Sequence, residues 1–309
     1  MIPTTIPHGR TAQRLTWPHL PAAVRAAIEE RCGAPVVEAL SQGTGFTPGF
    51  ASVLRCADGS RHFVKAASAK AQRMFAESYR EEARKLHTLP AAAPAPRLLW
   101  EIDADWVVLG IEYVESRTPA RPWRQADLDL ALDALETCAR ELTPPPLALD
   151  SFEQEFAGWP AYWDHVRATR PDLLHLEDTA ELATGYAPIT SGDTLVHTDV
   201  RDDNTLLTTD GRALFCDWNW PVMGAAWLDT VIMLIGPRGD GLDVEAVLRE
   251  RALTREVPSE HVDIVLALVC GYFFKAADDP VPPTSPYIRE AQRWQGEVVW
   301  AWLAERRGW

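Results

Sequence analysis

The sequence predicts an α+β protein of two lobes: an antiparallel five-stranded sheet with one main helix, then a larger, mainly helical lobe with an embedded β segment. Three observations carry this. Short apolar runs separated by Gly, Pro and Asp turns crowd the first 115 residues, helical apolar spacing dominates residues 116–309, and strand-like runs return only between Thr194 and Cys216. The expected domains are therefore residues 1–115 and 116–309. Regular βαβ alternation is absent, and a cleft between the lobes is the natural place for a small molecule.

In chain order, Pro21 to Glu30 reads as a short helix with Ala22, Val24 and Ile28 on its apolar face. Val36 to Leu40 is a strand, and Gly43-Thr44-Gly45-Phe46 lies in a glycine-rich turn. Phe50 to Cys56 and His62 to Ala66 form a hairpin about Asp58-Gly59. Ala69 to Leu89 is helical, with Phe75, Tyr79, Leu86 and Leu89 on one side and Pro90 as the stop. Arg97 to Ile102 and Trp106 to Tyr113 make a second hairpin. A linker at Ser116–Pro122 leads into helices at Asp127–Leu142, Trp159–Ala168 and Leu173–Ala183. The β segment follows, and the remainder is mostly helical.

The composition is globular, with 47% hydrophobic and 24% charged residues, and no apolar run is long enough to span a membrane. The net charge of −14, from 30 basic and 44 acidic side chains, argues against nucleic acid or an anionic membrane as a partner. It suits a cationic partner better. The five cysteines are widely spaced and form no CxxC pair or Cys/His cluster, so neither a disulfide framework nor a zinc site is expected. His8, His19, His87, His165, His175 and His261 have no metal-ligand spacing. The N-terminal stretch lacks the apolar region of a signal peptide, which makes the cytoplasm the expected location.

The chemistry concentrates at Leu195–Leu207, where His197-Thr198-Asp199 and Asn204 spell H-x-D-x-x-x-x-N between two strand-like runs. A further apolar strand ends at Asp217-Trp218. A turn at Asp210-Gly211 would bring Asp199, Asn204 and Asp217 to one end of a small sheet. Phosphoryl transfer from a metal nucleotide needs this set: one carboxylate to orient the attacking hydroxyl, and an amide oxygen with a second carboxylate to hold Mg²⁺.

This segment resembles the Brenner motif of aminoglycoside phosphotransferases and related small-molecule kinases, which share the protein-kinase-like fold. That family usually has His-Gly-Asp where this chain has His197-Thr198-Asp199, and Gly-Pro then Asp-Leu where this chain has Gly224-Ala225 and Asp229-Thr230. The resemblance implies that Asp199 is the catalytic base, that Asn204 and Asp217 ligate Mg²⁺, and that His197 and Asp229 support the catalytic loop. It also implies a strand lysine paired with a helix glutamate. Lys65 fits the first; Glu82 is the best second, because Glu82-Ala83-Arg84-Lys85-Leu86 matches the family pattern, with Glu81 and Glu77 as alternatives. Gly43 and Gly45 would cover nucleotide phosphates, and Glu112 to Val114 occupy the interlobe position that offers backbone groups to adenine. Arg201 either neutralises phosphate charge or pairs with Asp202 or Asp229.

An acceptor site is expected from Asp202 and Asp203, from Trp159, Trp163 and Asp164, and from Tyr287, Glu290 and Trp294 on late helices. Acidic and aromatic side chains suit a sugar-like or cationic molecule, whereas Trp218, Trp220 and Trp227 read as packing residues. The implied function is a small-molecule O-phosphotransferase that moves the γ-phosphate of ATP or GTP to a hydroxyl of an antibiotic-like or sugar-like acceptor. The alternatives are a kinase of a common metabolite (choline-like, amino acid or sugar) and a catalytically silent nucleotide-binding module. A protein kinase fits less well, because no Arg follows His197 and no APE-like segment follows Asp217.

Overall fold

The computed structural model describes residues 1–4, 6–7 and 11–309, so His8 lies outside the described residues. Five strands, β1 (Val36–Ser41), β2 (Phe50–Cys56), β3 (Arg61–Ser68), β4 (Leu98–Asp103) and β5 (Trp106–Glu112), form one antiparallel sheet in the order β1-β2-β3-β5-β4. Alternation along β3 explains its central place. Val64 and Ala66 face a core shared with Ile28 of helix α1 (Ala22–Cys32), while Phe63 and Ala67 face the opposite core, under helix α2 (Arg73–Leu86). Lys65 lies on the α2 side, opposite Ala51 of β2 and Leu109 of β5.

Helix α2 is amphipathic. Ala76, Tyr79, Ala83 and Leu86 are buried at helical spacing, and Glu82 is the one carboxylate in that buried stripe. The helix stops at Leu86, three residues short of the expected Leu89, although Leu89 still packs on the core.

The chain then adds β6 (Ser116–Arg117) and α3 (Gln125–Glu141), followed by α4 (Phe152–Glu155), α5 (Tyr162–Thr169), α6 (Leu176–Thr184) and α7 (Tyr186–Thr190). The β segment holds β7 (Thr194–Val196), β8 (Thr205–Thr208), β9 (Ala213–Phe215) and β10 (Val222–Gly224). It is two sheets rather than one: β7 pairs with β10, and β8 pairs with β9 and β6. Helices α8 (Leu228–Met233), α9 (Ile235–Gly239), α10 (Val244–Glu250), α11 (Ser259–Ala277) and α12 (Ile288–Arg307) complete the fold. Apolar on nearly every face, α11 is the core helix of this half. It meets α12 where Gly296 sits against Phe274. Among the described residues, no helix is long and apolar enough to cross a membrane.

Two sequence expectations change here, at Trp220 and at the cysteines, and the N-terminus makes a contact beyond the first 115 residues. Residues Met1 and Ile2 pack on the helical half, where the Ile2 N–H donates to the Gly239 carbonyl at 2.8 Å. Trp218 and Trp227 are buried as expected, but Trp220 is 58% exposed. The cysteines Cys32 and Cys56 do meet His62, with ligand atoms within 4.8 Å of one another, because α1 folds back over the β2–β3 hairpin. Burial, with the Cys56 thiol alongside, pushes the Cys32 thiol up to about 12.

Gly110 on β5 faces Trp100 on β4, and a Cβ at position 110 would fall 2.1 Å from the indole. Gly110→Ala is expected to destabilise the protein by about 1–3 kcal/mol through overpacking. Urea unfolding of Gly110→Ala, Trp100→Ala and the double variant checks this. The two changes should be strongly non-additive, because removing the indole opens the space that the new methyl needs.

Candidate functional site

The site begins with a lysine that cannot stay buried alone. Lys65 is 6% exposed and Glu82 only 1%. The Lys65 ammonium donates to both Glu82 carboxylate oxygens at 2.8 Å and also to Asp217, just beyond β9. Glu81, the sequence alternative, faces solvent and pairs with Arg84. Burial alone would lower the Lys65 pKa, but Asp217 and Glu82 outweigh it and hold the pKa above the usual lysine value. Burial raises Glu82. It acts upward on Asp217 too, but Lys65, with Arg14 and Arg201, holds Asp217 below the usual carboxylate range.

The loop after β7 is held by the backbone. Thr198 has φ of +66° and Asp217 has φ of +63°. For a β-branched residue, the left-handed region is strained. This is the position at which the resembled family usually has glycine. Two features compensate. The Asp229 carboxylate accepts the N–H groups of His197 at 2.6 Å and Thr198 at 2.8 Å, and the Thr198 hydroxyl donates to the Trp220 carbonyl at 2.9 Å. Burial raises the Asp229 carboxyl against these bonds. His197 accepts the Asp199 N–H at Nδ1 and donates from Nε2 to the Cys216 carbonyl at 2.9 Å, which sets its tautomer and ties the loop to the end of β9.

Asp199 and Asn204 are in direct contact. The Asn204 amide nitrogen donates to the Asp199 backbone carbonyl and to its carboxylate, both at 2.9 Å. That turns the amide oxygen of Asn204 away from Asp199. Asn204 and Asp217 line one polar cavity of about 60 Å³ together with Lys65, Gly45 and Asn219. Asn219 is a site residue that no motif had singled out, and its buried Oδ1 has no hydrogen-bond partner. A carboxylate, a carboxamide and an orphaned amide oxygen are hard oxygen donors, a set that suits Mg²⁺.

Next to this polar end lies a cavity of about 470 Å³ walled by Leu40, Val53, Phe63, Ile111 and Leu206, with Glu112 and Val114 at its rim. Glu112 pairs with Arg97 at 3.0 Å. In the turn above, the carbonyls of Gly43 and Gly45 accept from Thr11. Neither glycine has a positive φ; a Cβ at Gly45 would come 2.9 Å from the Arg14 guanidinium, the mobile end of that side chain.

The expected acceptor residues divide. Asp202, Asp203 and Trp294 line one cavity with Arg121 and Arg201, but its volume is only about 60 Å³. Each aspartate there already has a cation: Asp202 pairs with Arg121 through two hydrogen bonds, and Asp203 takes Arg201 at 3.0 Å. Arg201 therefore pairs with Asp203 and approaches Asp199 at 3.4 Å, instead of Asp202 or Asp229. Burial, reinforced by Asp202 and Asp199, lifts Asp203 to about 6 despite Arg201. Trp294 donates to the Ile2 carbonyl at 2.7 Å. Trp159 is stacked on Tyr272 at 4.2 Å, and Trp163 is buried with its N–H on the Ala267 carbonyl. Asp164 is 78% exposed and paired with Arg167, and Glu290 is exposed in the first turn of α12; neither joins Asp202 and Asp203 in their cavity.

By sequence, the chain matches no family model and no curated protein. By structure it is similar to an aminoglycoside phosphotransferase from Alicyclobacillus acidocaldarius, at 16% identity and a TM-score of 0.59 over 88% of this chain and 92% of that one. A thermostable mutant of aminoglycoside phosphotransferase APH(4)-Ia, in a ternary complex with ADP and hygromycin B, gives a TM-score of 0.61 at 12% identity over 92% and 98%. Choline kinase LicA from Streptococcus pneumoniae gives 0.60 at 14% over 93% and 99%. The fold is thus the protein-kinase-like fold shared by aminoglycoside phosphotransferases and small-molecule kinases, over nearly the whole of each chain.

The strained turn yields a stability test. Thr198→Val keeps the β-branch but loses the solvent-accessible hydroxyl bond to Trp220, and should cost about 0.5–1.5 kcal/mol. Thr198→Gly loses the same bond but relieves the left-handed strain, and should cost less than about 1 kcal/mol. Chemical denaturation of the two variants gives the order directly.

Proposed function

We propose that this protein is a Mg·nucleotide-dependent phosphotransferase that moves the γ-phosphate of ATP or GTP to a hydroxyl of a small molecule. The observation that supports it best is the shared polar end: Asn204, Asp217 and Lys65 line one cavity, Asp199 is bonded to Asn204, and an apolar slot of nucleotide size adjoins them. In this reading, the apolar walls take the base and the backbone at Glu112–Val114 reads its edge. Lys65 leaves Asp217 for the phosphates while Glu82 keeps it oriented. Asn204 and Asp217 would hold Mg²⁺, which when bound would neutralise charge on the phosphate oxygens.

Asp199 aligns the acceptor hydroxyl. The acceptor oxygen bonds to the γ-phosphorus as the bridging β–γ bond breaks, and the hydroxyl proton passes to Asp199. An alcohol is far less acidic than a carboxylic acid, so this proton moves late and alignment is the larger contribution. Arg201, fixed by Asp203, sets the position of the Asp199 carboxylate. Asp229 and His197 hold the loop that carries it.

For the acceptor, the pairing of Asp202 with Arg121 and of Asp203 with Arg201 argues for a neutral, sugar-like or metabolite-like hydroxyl compound. A polycationic aminoglycoside would have to displace those arginines. A phosphoryl-transfer screen with product mass, run with ATP and GTP against hydroxylated antibiotics, sugars and common metabolites, tests both parts. In the best acceptor reaction, Asp199→Asn should lower turnover by roughly 10²–10⁴-fold, with nucleotide affinity within about threefold of wild type. Near-normal turnover would remove Asp199 from the reaction. Asp217→Ala should abolish Mg²⁺-dependent nucleotide binding.

A further inference from the structure

The N-terminal segment brings a cation into the polar cavity that no motif announces. Thr11 is 2% exposed, and its hydroxyl lies 2.8–3.0 Å from the carbonyl oxygens of Gly43, Thr44 and Gly45. Its N–H donates to the Gly43 carbonyl at 2.9 Å. Two residues on, the Gln13 N–H donates to the Thr284 carbonyl at 2.8 Å, and the neighbouring Ser285 hydroxyl donates to the Phe46 carbonyl. This segment is therefore fastened both to the glycine-rich turn and to the chain between α11 and α12. Arg14 comes next, and its side chain enters the cavity lined by Lys65, Asn204 and Asp217.

The Arg14 guanidinium packs directly against Gly45. Its Nε is buried with no hydrogen-bond partner, and among the described residues Arg14 has no ion pair. A buried, unpaired donor of this kind costs free energy, and a guanidinium has five N–H groups in a planar fork that matches phosphate oxygens. Glu82 and Asp217 bond to Lys65 and Asp203 bonds to Arg201, while Arg14 acts on Asp217 through its charge without a hydrogen bond or ion pair to it. The missing acceptor is therefore an incoming anion. It would sit at the polar end with Asn204 and Asp217, away from the apolar slot, where the last phosphate of a nucleotide would lie.

We infer that Arg14 is a phosphate-contacting residue, delivered by the N-terminal segment to the terminal phosphate of the bound nucleoside triphosphate; this rests on the phosphotransferase reading above. In the transfer step it would offer N–H groups to the non-bridging oxygens of the migrating phosphoryl group, where charge is spread during the reaction. The anchoring of Thr11 and Gln13 makes the contact dependent on the glycine-rich turn and the helical half being held together.

Calorimetric titration of full-length wild type, Arg14→Ala, Arg14→Gln and Arg14→Lys with Mg·ADP and with Mg·β,γ-imido-ATP tests the inference, with thermal melts recorded to show that each variant is folded. Arg14→Ala and Arg14→Gln should each weaken binding of the triphosphate analogue by roughly 10- to 100-fold while changing ADP binding by less than about threefold. Arg14→Lys should recover part of the loss, because it restores the charge without the planar fork. If analogue and ADP weaken equally, or if neither changes, Arg14 does not read the terminal phosphate, and the phosphotransferase reading stands without it. If wild type binds neither nucleotide, the phosphotransferase reading fails and takes this inference with it.

Discussion

The structure depends on the buried contact of Lys65 with Glu82 and Asp217. It joins β3, α2 and the chain after β9, which are three elements from both halves of the molecule. A lysine this deep is tolerable only if its charge is matched, and two carboxylates match it. The partners are unequal. Glu82 is almost completely enclosed and would be stranded if Lys65 left, whereas Asp217 remains partly open to the cavity. Lys65 thus has one fully enclosed partner and one that remains open to the cavity.

Around that contact, strain and charge are both compensated locally. Thr198 and Asp217 adopt left-handed backbone; Thr198 is held by Asp229 and the Trp220 carbonyl, and the Asp217 carboxylate bonds to Lys65. The overall charge of −14 gives a misleading picture of the site. Asp199, Asp202, Asp203 and Asp217 all have a cationic neighbour, drawn from Arg121, Arg201 and Lys65, with Arg14 adding its field. The acidic excess lies elsewhere on the surface, so net charge is a weak guide to the acceptor.

Much of the architecture was legible in the sequence because it rests on local signals. Hairpin turns, strand alternation and the amphipathic stripe of α2 are written in neighbouring residues, and Glu82 is preferred to Glu81 and Glu77 because Glu82-Ala83-Arg84-Lys85-Leu86 matches the pattern of the resembled family. The H-x-D-x-x-x-x-N spacing placed Asp199 against Asn204, since five residues of tight loop leave few alternatives. Long-range pairings were not legible. Arg121 reaches Asp202, Cys32 and Cys56 meet His62, and β10 closes on β7, all across sequence distances at which no periodicity links the partners. Arg14 carried no signal of any kind, because a single arginine in an irregular segment looks like any surface charge until Gly45 is seen beside it. Asp164 and Glu290 lie exposed on their helices, a placement that residue type alone does not reveal.

The central claim is that one nucleotide site spans both halves and is closed across Lys65 and Asp217. Hydrogen–deuterium exchange with and without Mg·ATP measures it most directly. The account predicts simultaneous protection of amides in β2–β3 with the glycine-rich turn and in the 197–217 segment, both lost in Asp217→Ala. Protection confined to one half, or none at saturating nucleotide, would contradict it.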